Sequence, residues 1–147
     1  MADVLDDPYN LDRFLREQEG SYERALSEIR GGGKRSHWMW YIFPQYQGLS
    51  FSSTSMHYAI NSLQEAKAYL AHPLLGSRLL ECANAFLHIE EQSAFEVLGD
   101  PDDRKLQSCA TLFALVSPAD SVFERLIEKF YEGCQDDQTL QLLRAHS

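Results

Sequence analysis

The stretch EIRGGGKRSHWMWYIFPQ, residues 28–45, joins three glycines and a Lys-Arg pair to a run of bulky aromatic side chains. Consecutive glycines favour the end of a helix, because glycine readily adopts the left-handed conformation that closes a last turn. Residues 38–43 are bulky and mostly aromatic, and Pro44 bars a simple helical continuation, so we predict a short buried extended segment there. The stretch thus predicts that a helix ends at Gly31–Gly33 and that a different element follows it.

The glycines and the lysine after them do not form a phosphate-binding P-loop. That motif reads Gly-x-x-x-x-Gly-Lys followed by Ser or Thr, and it comes after a strand. Here Glu28 occupies the first glycine position, Arg35 occupies the hydroxyl position, and a helical pattern precedes the segment. P-loop chemistry is therefore disfavoured.

What remains is a flexible link that carries Lys34, Arg35 and His37 to the edge of an aromatic group. Cationic side chains bind phosphate oxygens and aromatic faces stack on planar bases, so this combination suits a nucleotide-like or sugar-phosphate ligand. The alternative interpretation is that these residues have only a structural role. Trp38 and Trp40, at alternate positions of an extended segment, can pack one face of a core while the cations stay solvated.

A helical pattern precedes this stretch. Asn10 can cap a first helix that reaches Gln18, and the pair Glu19-Gly20 interrupts it. A second helix is predicted from Ser21 to Ile29, where apolar residues again recur at helical spacing.

Loop and capping signals follow the stretch. Residues 45–55 are rich in Gly and Ser and predict a loop. Ser62 with Glu65 predicts a helix start, because the serine oxygen can accept a backbone N–H while the glutamate reaches back to the serine N–H. Ser93 with Glu96 predicts another short capped helix.

Proline and glycine mark the later helices. A central packing helix is predicted after His72-Pro73, and two long helices after Asp100-Pro101 and Ser117-Pro118. Gly133 is the natural end of the second long helix, and residues 137–144 predict a final short one.

These patterns predict a mainly α fold. We expect a compact single-domain helical array over residues 1–147, with at most a small strand element around residues 38–44. Residues 1–7 are expected to form a flexible N-terminal tail.

Composition and charge exclude several classes of function. The formal net charge is -9, which disfavours binding to bulk nucleic acid or to an anionic membrane. The first residues resemble no secretory leader and no stretch is apolar enough to span a membrane, so we expect a cytoplasmic protein. The three cysteines and five histidines lack metal-ligand spacing. We therefore expect reduced core thiols, no metal and no cofactor.

Two positions outside the opening stretch can carry chemistry. Glu65 can act as a general acid or base if it is buried near a ligand, because desolvation raises the pKa of a carboxyl group. The structural alternative is that Glu65 only caps the helix. Lys105, close to Asp102 in the first turn after Pro101, can bind a phosphate, and the alternative is a solvated helix start.

Three segments carry a resemblance to a known family: residues 7–45, then YAINSLQEAKAYLAHPLLGSRL at 58–79, then VLGDPDDRKLQSCATLF at 97–113. They resemble the family called domain of unknown function 1810, often labelled calpastatin in bacteria, over about Asp7 to Leu143. Inhibitors of the calpastatin class are long, disordered and repetitive, whereas this chain is aromatic and without repeats, so we do not expect protease inhibition.

The family is in turn similar to the YbiA-like, or NADAR, superfamily of small helical proteins linked to NAD and ADP-ribose chemistry and to cleavage of N-glycosidic bonds. In that superfamily a Phe-Pro pair precedes a helix that begins Ser-x-Glu. The resemblance implies that Phe43-Pro44 corresponds to this pair and that the helix begins at Ser62 and includes Lys67 and Tyr69. Gln64 stands where the superfamily has Glu, so the carboxylate is either displaced to Glu65 or missing.

The resemblance and the residue types together predict a hydrolase of the N-glycosidase or ADP-ribose type. Its substrate would be a ribosylated small molecule that bears phosphate, with Glu65 assisting a water in attack on the anomeric carbon. The predicted ligand-binding residues are Lys34, Arg35, His37, Trp38, Trp40, Phe43, Gln45, Tyr58, Asp102 and Lys105. The alternative is a non-catalytic module that binds a nucleotide-like ligand or a protein. In either case we expect a monomer or a weak homodimer.

Overall fold

Helices form nearly all the regular structure of residues 7–146, the part of the chain that this computed structural model describes. In chain order they are α1 Asp12–Arg30, α2 Met39–Ile42, α3 Ser53–His57, α4 Leu63–Ala71, α5 Leu75–Leu87, α6 Ala94–Leu98, α7 Asp102–Ala114, α8 Val122–Tyr131 and α9 Asp137–Ala145. The β structure in this range is one isolated parallel bridge between Tyr46 and Ile60. The mainly α fold class is confirmed.

The first helix is capped by a residue that the sequence pattern did not single out. The Asp7 carboxylate accepts hydrogen bonds from the backbone N–H groups of Leu11 (2.8 Å) and Asp12 (3.0 Å). The cap predicted at Asn10 is wrong, because Asn10 takes a positive φ of 52° in the turn that brings Asp7 to the helix. The tail predicted for residues 1–7 lies outside the described residues except for Asp7.

α1 continues through Gly20, so the predicted interruption is wrong. Its buried face recurs at helical spacing on both sides of the glycine and includes Phe14, Tyr22, Ala25 and Ile29. An exposed glycine inside a helix costs only about 1 kcal/mol relative to alanine. Burial of this face outweighs that cost, and the helix ends at Gly31 as predicted.

The extended segment predicted at residues 38–43 is also wrong, because Met39–Ile42 forms a single helical turn. A helical turn places residues three apart on one side. Met39 and Ile42 both enter the core in this way, at 3% and 2% exposure. Pro44 ends the turn and does not prevent it.

The core lies between α1, α4, α5, α7 and α8. α5 packs against α1, α4 and α8, which confirms the predicted central packing helix, although it starts at Leu75 and not directly after Pro73. α7 packs against α8 and α4, and Phe113 on α7 contacts both Tyr69 and Phe123. α2 packs against α1 and α5, and the loop that contains α3 links it to α4.

Two helix starts differ from the proline signals. α7 begins at Asp102, and the predicted cap at Asp100 is replaced by Pro101 without a side-chain hydrogen bond. α8 begins at Val122, where Ser121 accepts from the backbone N–H of Glu124, so Ser117-Pro118 belongs to the preceding turn.

The end of the chain follows its local signals more closely. Gly133 has a positive φ of 79° just after α8, and α9 matches the predicted final helix. Cys82 and Cys109 are buried as expected of core thiols. Cys134 is exposed, because it lies in the turn after Gly133, so the core prediction is wrong for this thiol.

Candidate functional site

The loop that links α2 to α4 is closed at its base by backbone hydrogen bonds. The N–H of Gln47 donates to the carbonyl of Ile60 (2.9 Å), and the N–H of Ile60 donates to the carbonyl of Gln45 (2.8 Å). The chain between these residues contains α3 and forms a compact surface loop whose ends lie side by side. We call residues 45–61 the closed loop.

The closed loop and α2 enclose a recess of about 200 Å³. Aromatic side chains form much of its wall, and Phe51 and Met56 stand at its edge with 80% and 59% of their surface exposed. The recess is lined by Trp40, Gln45, Tyr46, Gln47, Gly48, Leu49, Ser50, Phe51, Ser55, Met56, Tyr58, Ala59 and Asn61. Its volume is below the range typical of drug-sized ligands and suits a single ring system.

Arg13 of α1 holds the returning limb of the closed loop. Its Nε donates to the carbonyl of His57 (2.7 Å) and its Nη2 to the carbonyl of Ala59 (2.8 Å). Its Nη1 donates to the carbonyls of Tyr9 (2.7 Å) and Asn10 (2.8 Å). With one further bond to a carboxylate, the guanidinium uses all five of its N–H donors.

That carboxylate is Glu65, which lies behind the wall of the recess. Its Oε2 accepts from Nη2 of Arg13 at 2.7 Å, and its Oε1 accepts from the backbone N–H of Asn61 at 2.9 Å. Ser62 caps α4 as predicted, but Glu65 binds the N–H of Asn61 and completes no reciprocal box. At 2% exposure the carboxylate is an internal ion-pair partner that fixes the base of the loop.

A cluster of opposite charges lies against Trp40. Asp102 accepts from Lys34 (2.8 Å) and from Lys105 (3.0 Å), and the Lys105 ammonium stands 3.9 Å from the centre of the Trp40 ring. Burial raises the pKa of Asp102, but hydrogen bonds from both lysines outweigh it and lower the pKa below its usual range. The structure thus brings the three predicted charged residues together beside a predicted aromatic one.

Trp38 is more deeply buried than Trp40, although the Lys34 ammonium of the cluster stands 5.4 Å from the centre of its ring. Trp38 is 1% exposed, and its indole N–H donates to Glu28 at 2.9 Å. Glu28 also accepts from the backbone N–H of Arg35 and from the backbone N–H and hydroxyl of Ser36. Burial raises the pKa of Glu28, but these bonds, led by the Ser36 hydroxyl, lower it to about 2.

Two predicted residues give the recess its polar and aromatic character. Gln45 is 7% exposed, and its Nε2 has no hydrogen-bond partner within residues 7–146. Tyr58 packs edge-on against Tyr41 with ring centres 5.3 Å apart. Burial first, and then the nearby Glu17 carboxylate, raises the pKa of Tyr58 to about 12, so its hydroxyl is neutral at physiological pH.

The predicted site residues therefore lie in five different environments. Trp40, Gln45 and Tyr58 line the recess, and Lys34, Asp102 and Lys105 form the adjoining cluster. Trp38 and Phe43 are core residues, Arg35 and His37 are exposed on the link, and Glu65 lies behind the wall.

Sequence reasoning missed Arg13, Glu28, Phe51 and Met56. For Glu28 the local pattern gave no signal, because the helix dipole disfavours an acidic residue near the C-terminus of a helix. Arg13 offered none, because its partners on the closed loop are 44 and 46 residues away along the chain.

Fold and site together define a small helical protein with an aromatic recess under a closed surface loop. The chain belongs to the family described as Protein of unknown function (DUF1810), whose model matches residues 8–143. It is 45% identical to the conserved hypothetical protein Rv1873 from Mycobacterium tuberculosis, solved in the crystal at 1.38 Å. The match covers 94% of this chain and 99% of that chain with a TM-score of 0.92. No curated protein matches the chain.

Two features of residues 7–146 bear on membranes and metals. No helix there has both the length and the apolar character that crossing a bilayer requires. Within the same residues, no three His, Cys, Asp or Glu side chains group closely enough to hold a metal ion.

Proposed function

We propose that this protein binds a flat, nucleotide-like small molecule, with its ring in the recess and its anionic group near Lys105. The observation that carries the proposal is the shared cavity of Trp40, Tyr58 and Gln45, two aromatic faces and one buried amide. The proposal includes a cytoplasmic location and a monomer or weak homodimer in solution.

Trp40 is prepared for stacking before a ligand arrives. It is only partly buried, and the Lys105 ammonium over its ring restricts its orientation. Stacking of a base on an aromatic side chain contributes about 1–3 kcal/mol. A side chain that is already held in place loses less conformational entropy on binding, so more of this energy appears as affinity.

The charged cluster supports the anionic part of the ligand. Lys34 and Lys105 share the single carboxylate of Asp102, so these three side chains together carry one positive charge. The Lys105 side chain is 20% exposed and so remains accessible to a phosphate. The chain as a whole has a net charge of -9, so a group of side chains with a net positive charge stands out from its acidic average.

Cleavage of an N-glycosidic bond is the second candidate function. The resemblance to the YbiA-like, or NADAR, superfamily supports it, and so does one contact: Asn61, which Glu65 binds, itself lines the recess. A carboxylate that reached the recess could activate water and stabilise an oxocarbenium-like transition state. Such a step requires Glu65 to leave Arg13, so the geometry favours binding over catalysis.

Tryptophan fluorescence tests the binding proposal directly, because the chain contains only Trp38 and Trp40. We expect saturable quenching on titration with AMP, GMP or UMP. Trp40→Phe should abolish it, whereas Trp38→Phe should retain it, with circular dichroism confirming that both variants are folded. Calorimetry on the unaltered protein provides a readout that needs no substitution. Absence of saturable binding to every nucleotide up to millimolar concentration would overturn the proposal.

Two further comparisons separate the parts of the proposal. Lys105→Met should weaken binding of GMP more than binding of guanosine, because only GMP carries the phosphate. For the hydrolase candidate, chromatography would detect free base released from the nucleotide. Glu65→Gln should then reduce the rate by at least about 100-fold in protein that remains folded.

A further inference from the structure

The side chain of Gln45 is the polar group at the recess whose hydrogen bonding is incomplete. An amide carries two N–H donors and a carbonyl acceptor. Nε2 of Gln45 is out of contact with solvent and has no partner in the described part of the chain. A buried donor without a partner is unfavourable, so a ligand that supplies an acceptor gains more there than it would in water.

The backbone of Gln45 is fixed by a hydrogen bond, whereas no hydrogen bond holds the Nε2 of its amide. Its carbonyl accepts the 2.8 Å hydrogen bond from Ile60 that closes the loop. The terminal torsion of glutamine has a broad energy profile, and no hydrogen bond of Nε2 is lost when it rotates. The amide can therefore turn to face a ring in the recess without moving the loop.

The other lining residues restrict the chemistry of that ring. Among the described residues, those that line the recess are Gly48 and aromatic, aliphatic, thioether, hydroxyl or amide side chains, and none is charged. A ring that is itself charged would be desolvated there without a counter-ion. An uncharged ring with its own donor and acceptor is the better match.

We propose that the ring bound in the recess carries a cyclic amide edge, a carbonyl oxygen next to a ring N–H, and that Gln45 recognises it. The Gln45 N–H donates to the ring carbonyl and its carbonyl accepts from the ring N–H. Such paired bonds read one edge of a heterocycle. This inference rests on the proposed function, because it specifies the ligand of the same recess.

Inosine and purine riboside provide the test, since purine riboside lacks the cyclic amide of inosine but keeps the same ring size and sugar. Measured by calorimetry, the unaltered protein should bind inosine at least about tenfold more tightly, as expected for one well-paired buried polar group. Gln45→Met should bind both nucleosides equally. Gln47→Met is the matched control, because Gln47 also lines the recess but its amide already donates to the carbonyl of Asn61.

The outcomes separate this inference from the proposed function. Equal binding of both nucleosides to the unaltered protein overturns the proposed recognition of a cyclic amide and leaves the recess as a ligand site. Binding of neither nucleoside, nor of any nucleotide, overturns both. Thermal unfolding gives a second readout: Gln45→Met should unfold at the same or a higher temperature, because replacing an unpaired buried amide removes a penalty. A clear loss of thermal stability would show that the amide is already satisfied.

Discussion

Replacing Glu65 with alanine should destabilise the protein strongly, because it leaves a buried guanidinium without its counter-ion. Arg13 and Glu65 have side chains exposed to only 7% and 2%, and their charged atoms are 2.7 Å apart. Removing one partner of a buried ion pair costs about 3–5 kcal/mol. That is a large part of the roughly 5–15 kcal/mol that stabilises a typical domain. Urea denaturation followed by circular dichroism measures the change.

A double-mutant cycle separates the pair from its surroundings. Arg13→Met should also cost about 3–5 kcal/mol, since it leaves a buried carboxylate unpaired. The double variant should lose less than the sum, because no isolated charge remains. Arg16→Met is the matched control on the same helix. Its ion pair with Asp12 is 81% and 47% exposed, so it should change the free energy of unfolding by less than about 1 kcal/mol.

The cycle also decides how activity data on Glu65 are interpreted. If Glu65→Ala unfolds within about 0.5 kcal/mol of the unaltered protein, a range typical of surface substitutions, the structural role is refuted. Glu65 is then free to act at the recess. If the predicted loss is found, a fall in ligand binding by this variant reports damage to the loop that Arg13 holds.

Two glycines should respond in opposite ways to alanine. In Gly76→Ala the new Cβ would lie 2.0 Å from the carbonyl oxygen of Leu70, so we expect the free energy of unfolding to fall by about 1–3 kcal/mol or more. In Gly20→Ala the new Cβ meets no atom within 4 Å, so the free energy of unfolding should rise by about 0.5–1 kcal/mol. Urea denaturation measures both variants, and changes of the same sign would contradict this prediction. Glu28 should stabilise the fold fully above its ordinary pKa of 4.5 and lose that effect as the pH falls towards about 2. The stability curves of the unaltered protein and Glu28→Gln should therefore converge in acid, and parallel curves would exclude the role of the carboxylate.

Signals that act over a few residues predicted the fold well. Ser62 and Ser93 cap their helices through backbone N–H groups three residues away, and Gly31–Gly33 end α1. These contacts depend on local geometry alone, so the sequence contains all the information that they need.

Features that depend on packing between residues distant in the sequence were not predicted. Gly20 reads as a break, but α1 continues because the helix on both sides of it is buried against the core. The same limit applies to the site. Glu65 was recognised as a candidate, yet its partner Arg13 lies 52 residues earlier in the chain. Spacing along the sequence therefore could not show that its carboxylate faces an arginine inside the protein and not a ligand.

The one-turn helix at residues 39–42 explains why Trp38 and Trp40 have different roles. In the extended segment predicted from the sequence, alternate residues point to the same side, and both indoles would share one environment. A helical turn rotates successive residues by about 100°, which places residues two apart on nearly opposite sides. Trp38 accordingly enters the core and binds Glu28, whereas Trp40 faces the recess and Lys105. The local conformation that the sequence pattern missed is thus what makes one tryptophan structural and leaves the other available to a ligand.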